Sequence, residues 1–142
     1  VTRLLLVRGA DPDLYSSTSY RPTPLHSAAR WGTLDDIQLL LDCGADLYGG
    51  QESPTQPDNG ILAWMCRAGQ TPVLELLLER GLDLEHPRCS LLLHTSCDSG
   101  HIELCQRLVG AGMRLDVIDE QNRTPRERAL AQGHGDLVAL LY

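Results

Sequence analysis

Apolar residues recur along this chain in short groups whose spacing fits helices. Between Leu34 and Leu41 they fall at Leu34, Ile37, Leu40 and Leu41, positions i, i+3, i+6 and i+7, which predicts a helix burying these four side chains on one face. Ile102, Cys105, Leu108 and Val109 repeat the spacing and predict a second such helix. A shorter helix is predicted ahead of each. Thr23-Pro24 and Thr124-Pro125 each combine an N-cap hydroxyl with a ring whose fixed φ suits the first helical position. Gly32, Gly69, Gly100 and Gly133 stand where those first helices should end on a left-handed residue. Gly44, Gly81 and Gly112 close the second helices and lead into polar, turn-rich connections.

The unit so defined is repeated. Thr23 to Leu47 aligns without a gap on Gly60 to Leu84 at an offset of 37, and again on Leu91 to Leu115 at a further 31. Another copy begins at Thr124, 33 residues on, and the opening LLLVRGADPDL matches the end of a unit. A lone helix pair of this size cannot bury its apolar face, so the copies are expected to stack and share a continuous core. We expect one domain over residues 1–142: a partial repeat at 1–13, repeats at about 21–47, 58–84 and 89–116, and a partial one at about 122–142. Because the chain lacks an initial Met and starts and stops inside such units, it reads as part of something longer.

TPLHSAA at Thr23 to Ala29, the glycines near helix ends and LLLDCGAD at Leu39 to Asp46 resemble the ankyrin repeat, and the resemblance covers nearly the whole chain. It implies an all-α fold, an ankyrin-type helix–turn–helix repeat solenoid with hairpin-like connecting loops. It also implies a protein–protein interaction module that binds a partner protein through its concave groove and loop tips, with no catalysis and no cofactor. A substrate-recruiting adaptor of a ubiquitin ligase is an alternative within that class, its ligase-docking motif lying outside these residues. The third repeat departs from the pattern with Gly60-Ile61-Leu62-Ala63, and the fifth with Arg126-Glu127 in place of Leu-His.

Composition narrows the partner. Twelve Lys and Arg against 19 Asp and Glu give a formal charge of −7, which repels a phosphate backbone, so nucleic acid is not the expected partner. The longest apolar runs, such as Leu39-Leu40-Leu41, fall far short of the roughly 20 residues that cross a bilayer, so no membrane insertion is expected. Cys43, Cys66, Cys89, Cys97 and Cys105 form no CxxC pair and no evident disulfide framework, which favours reduced thiols and an intracellular site, cytoplasmic or nuclear.

Candidate chemistry sorts by register. His26 and His94 share one repeat position, where the resemblance implies a hydrogen-bond network between repeats, and His101 and His134 match a histidine common in the family. Cys66 and Cys97 fall where Ala29 lies, and Cys105 where Ile37 lies, all packed sites for a small hydrophobe. A rival reading makes His94, Cys97 and His101 a zinc or catalytic site, but Gly100 divides them between two helices and no standard ligand spacing supports a metal. No phosphate loop, nucleophile elbow or acid pair appears, so no catalytic residue is assigned.

The two positions before each hinge glycine are those that the resemblance directs into the groove. They hold Arg30 and Trp31, Arg67 and Ala68, Asp98 and Ser99, and Ala131 and Gln132. Trp and Arg dominate binding energy in interfaces, so Trp31 flanked by Arg30 and Arg67 leads the candidate contacts. Asp98, together with Tyr20 and Arg21 in a variable connection, completes the partner-binding set. Trp64 aligns with Ser27 inside the first helix, where packing is the expected role. Tyr48 to Asn59, YGGQESPTQPDN, is expected to form an extended, mobile finger.

Overall fold

The computed structural model describes residues 8–12, 23–48 and 61–141. Tyr15, Tyr20, Arg21, most of the expected 48–59 finger and most of the first partial repeat lie outside the described residues. The α-helices are α1 (Pro24–Trp31), α2 (Leu34–Asp42), α3 (Ile61–Ala68), α4 (Thr71–Glu79), α5 (Leu92–Ser99), α6 (Ile102–Gly110), α7 (Pro125–Ala131) and α8 (Gly135–Leu140), with a 3₁₀ turn at Pro87–Cys89. No strand occurs among the described residues. They divide into two compact units, Val1–Trp64 with Glu75–Leu82, and Met65–Leu74 with Asp83–Tyr142.

In the first unit α1 and α2 pack against each other. The Thr23 hydroxyl accepts the His26 amide at 3.3 Å and Pro24 opens the helix, as its sequence predicts. Leu25, Ala29, Ile37 and Leu40 are buried. Leu34 is 43% exposed, contrary to its place in the expected apolar stripe.

In the second unit α5 packs on α6 and α7, and α8 packs on α7 and α6. The buried face of each second helix is shifted from the expected one. Ile102 is 40% exposed, whereas Leu104, Cys105 and Leu108 are fully buried. Val73, Leu104 and Leu137 occupy one repeat position and are all buried, so the stripe begins at the third helical residue, not the first. Water reaches the first residue of α2 and α6, Leu34 and Ile102, whereas Thr71 at the start of α4 is buried. α7 keeps its cap despite the departure from Leu-His. Glu127 accepts the Thr124 amide at 2.7 Å while the Thr124 hydroxyl accepts the Glu127 amide at 3.3 Å, a reciprocal capping box.

The hinge glycines carry one further correction. Gly69, Gly100 and Gly133 are left-handed (φ 67°, 74° and 79°), as expected, but Gly32 has φ −97° and ψ −158°. Thr33 explains the difference. Its amide donates to Asp36 Oδ2 at 3.0 Å and its hydroxyl accepts the Asp36 amide at 3.3 Å, a box that draws the backbone into an extended entry to α2. His101 and His134 stand at this position in the second unit and make no such side-chain cap.

Candidate partner-binding surface

Two elements set the first unit's candidate site. α1 ends on Arg30 and Trp31, and the turn through Gly32 and the Thr33 cap starts α2 at once. That geometry leaves the indole 80% exposed. The Arg30 guanidinium carbon lies 5.0 Å from the ring centroid, a cation–π contact between two exposed side chains. Large and exposed, the ring offers apolar area with only two side-chain torsions to fix on binding.

In the second unit Arg67 is exposed at the end of α3, and its backbone carbonyl accepts from His101 Nε2 at 2.8 Å. Asp98 is tied more firmly. Its carboxylate pairs with Arg128, and its carbonyl accepts from His134 Nε2 at 3.3 Å. Arg30 and Trp31 thus belong to one compact unit and Arg67 and Asp98 to the other. Tyr20 and Arg21 lie outside the described residues, and Trp64 is half-buried.

Sequence reasoning missed the group around Arg128. Its Nε donates to Asp119 Oδ2 at 2.7 Å while its other arm reaches Asp98. Asp119 also accepts the amides of Gln121 and Arg123, both at 2.9 Å, in a turn that Asn122 closes at φ 58°. The local signal was present: an Asp followed three residues later by Asn, ahead of Arg-Thr-Pro, reads as a side-chain-braced turn. Burial raises the pKa of Asp119, but the Arg123 amide, the Arg128 guanidinium and the Gln121 amide outweigh it and hold the carboxyl well below the ordinary range.

Folding therefore favours ionised Asp119. The resulting stabilisation is complete above the unfolded-state pKa of about 3.9 and is lost as pH falls through the lower folded-state value. Asp119→Asn is expected to lower the urea midpoint at pH 7, and the gap to the parent chain should narrow below about pH 4. A gap that stays constant into strong acid would contradict this assignment.

The histidines and cysteines are held by the scaffold. His94 Nε2 lies 3.0 Å from the Arg123 carbonyl, and burial pushes its pKa below the ordinary histidine value against the pull of that carbonyl. Cys97 Sγ is 3.8 Å from Cys105 Sγ. The suggested metal set is thus dispersed: His94 on Arg123, His101 on Arg67, Cys97 on Cys105. No group of three or more His, Cys, Asp or Glu side chains among the described residues is placed to hold a metal ion.

Burial pushes the Cys66 thiol up to about 12 and the Cys89 thiol up to about 11, while the thiol hydrogen bond with Cys97, then burial, raises Cys105. All five cysteines are free, and Cys43 is the exposed one. A chromogenic disulfide reagent is expected to titrate one thiol per native chain quickly and all five in denaturant. Rapid reaction of several thiols in the native chain would contradict the packing described.

Comparison with known proteins accords with the helix-pair units. A family model described as ankyrin repeats, in three copies, matches residues 62–142, and a single ankyrin repeat model matches residues 20–49. The chain belongs to the ankyrin repeat family, and its all-α repeat fold is that of the family. It is 30% identical over 119 residues to an ankyrin repeat protein of fowlpox virus (strain NVSL), covering 82% of this chain and 26% of that protein. It is 32% identical over 165 residues to a potassium channel of Arabidopsis thaliana, covering 96% of this chain and 19% of the channel. Cyclin-dependent kinase 4 inhibitor B of Rattus norvegicus is 30% identical over 124 residues, covering 83% of this chain and 89% of the inhibitor.

The chain therefore spans about a quarter and a fifth of the first two relatives and most of the third. Ankyrin repeats indicate a protein–protein interaction module. No helix among the described residues is long and apolar enough to cross a membrane.

Proposed function

We propose that this chain binds a protein partner, without catalysis or cofactor, through the positions that precede its hinge glycines and through its loop tips. The observation that carries the proposal is Trp31, 80% exposed and stacked by Arg30. Trp and Arg are enriched among the side chains that dominate interface energy, and here the fold leaves both in water side by side. Arg67 and Asp98 contribute in the second unit, and Tyr20 and Arg21 from their connection. Free thiols, four of them buried, favour a reducing, intracellular setting, cytoplasmic or nuclear.

The double variant Trp31→Ala/Arg67→Ala is expected to weaken partner binding by about tenfold or more while leaving the unfolding midpoint unchanged. Calorimetric titration beside a thermal melt measures both. Unchanged affinity would remove these side chains from the interface.

A protein kinase is a second candidate partner, favoured by similarity over 89% of the length of a relative named as an inhibitor of cyclin-dependent kinase 4. Titration against that kinase tests it: a Kd of about 1 µM or tighter, lost in the double variant, supports this reading, and no binding rejects it. Recruitment of substrates to a ubiquitin ligase would use the same surface, with the ligase bound by another segment.

A further inference from the structure

Four of the five cysteines, Cys66, Cys89, Cys97 and Cys105, belong to the second unit, and all four are fully buried. Two of them meet. Cys97 is on α5 and Cys105 on α6, the helices that Gly100 hinges together, and their sulfurs lie 3.8 Å apart. The other two are placed differently: the Cys66 thiol has the Ser96 hydroxyl as its hydrogen-bond neighbour, and Cys89 ends the 3₁₀ turn before α5.

Packing around the pair selects among the products that thiol oxidation can give. A mixed disulfide with a small thiol needs room, and neither side chain has any exposed surface. A sulfinate would place an anion among buried apolar side chains, at the cost of desolvating it. A disulfide between the two neighbours is neutral and occupies no more space than the thiols that form it. The sulfurs need only close from 3.8 Å to about 2 Å.

We propose that Cys97 and Cys105 are a site of peroxide-dependent disulfide formation that staples α5 to α6 across the hinge. One thiol sulfur attacks an oxygen of hydrogen peroxide, the O–O bond breaks, and a sulfenic acid and one water form. The other thiol sulfur then attacks the sulfenic sulfur, the S–O bond breaks, and the hydroxyl leaves with the second thiol proton as water. Two electrons pass from the sulfurs to the peroxide, and the chain loses two hydrogens. Peroxide reaches the pair during local opening of the hinge, because neither sulfur touches solvent when it is closed. The bridge encloses Asp98, whose carbonyl accepts from His134, and His101, which donates to the Arg67 carbonyl. Oxidation therefore fixes the segment that helix pairs on both sides contact.

Cys43→Ser removes the exposed thiol, and with it disulfides between chains, and is the background for the test. The native chain is treated with hydrogen peroxide, the peroxide is removed, and the remaining thiols are alkylated in denaturant. The product should be about 2 Da lighter than the reduced chain before alkylation. Alkyl groups should enter at Cys66 and Cys89 but not at Cys97 or Cys105. Cleavage at Glu103 should leave its two fragments joined until dithiothreitol separates them. Amides of α5 and α6 should exchange about tenfold more slowly in the bridged chain than in the reduced one. The same map of the unaltered chain should show the same bridge. Alkylation of all the remaining cysteines after peroxide, a bridge to Cys66 or Cys89, oxygen added to Cys97 or Cys105 without a bridge, or a bridge that leaves exchange unchanged would each overturn the proposal.

Discussion

Replacing Leu104 by alanine is expected to remove about 2–5 kcal/mol of stability, whereas Ile102→Ala, two residues earlier, should cost less than about 1 kcal/mol. Leu104 is fully buried on α6 beside Cys105 and Leu108, so truncation removes transfer energy and opens a cavity in a close-packed site. Ile102 is 40% exposed at the start of the same helix and loses little by truncation. The pair of variants separates two assignments of the helix face, because apolar spacing alone puts Ile102 in the buried set. Urea unfolding followed by circular dichroism measures both. A larger loss for Ile102→Ala would restore the spacing-based face and contradict the observed one.

Gly100→Ala is expected to cost about 2–3 kcal/mol and Gly133→Ala about 1 kcal/mol less. Both glycines are left-handed, at φ 74° and 79°, so an L side chain brings a similar backbone penalty at each. Their surroundings differ. A Cβ at Gly100 would come within 2.7 Å of the His134 ring, forcing the imidazole away and breaking its bond to the Asp98 carbonyl, whereas at Gly133 it enters open space. The difference between the variants therefore isolates the histidine–glycine interlock from the backbone term. Equal losses in matched urea titrations would show that the interlock contributes nothing.

Much of this fold was legible in the sequence because its chemistry is local. Thr23-Pro24 and Thr124-Pro125 cap helices within three residues, and left-handed Gly69, Gly100 and Gly133 follow three of the first helices. The shifted stripe on the second helices had a readable cause. Position three holds Val73, Leu104 and Leu137 in three copies, but Asp36 in the copy with the clearest motif, where it serves the Thr33 cap instead. Gly32 departs from its equivalents for the same reason: Thr33 follows it where histidine follows Gly100 and Gly133.

The ion pairs of Arg128, unlike the Asp119 turn, were not legible. Arg128 joins Asp98, 30 residues away, to Asp119, and no periodicity encodes an ion pair across that separation. The candidate contacts were readable only as positions. Repeat register picks out Arg30, Trp31, Arg67 and Asp98, but only the structure distinguishes the exposed indole of Trp31 from the carboxylate of Asp98, already engaged by Arg128. The partner's identity depends on a complementary surface that no residue of this chain describes.

The central claim, protein binding through the surface that carries Trp31, is tested most directly by site-specific photo-crosslinking. A benzophenone amino acid placed at position 31 should capture a discrete protein from cell extract, and the same group at Gln38, exposed on α2, should not. Equal capture at both positions, or none at 31 under conditions where the chain is folded, would contradict the account.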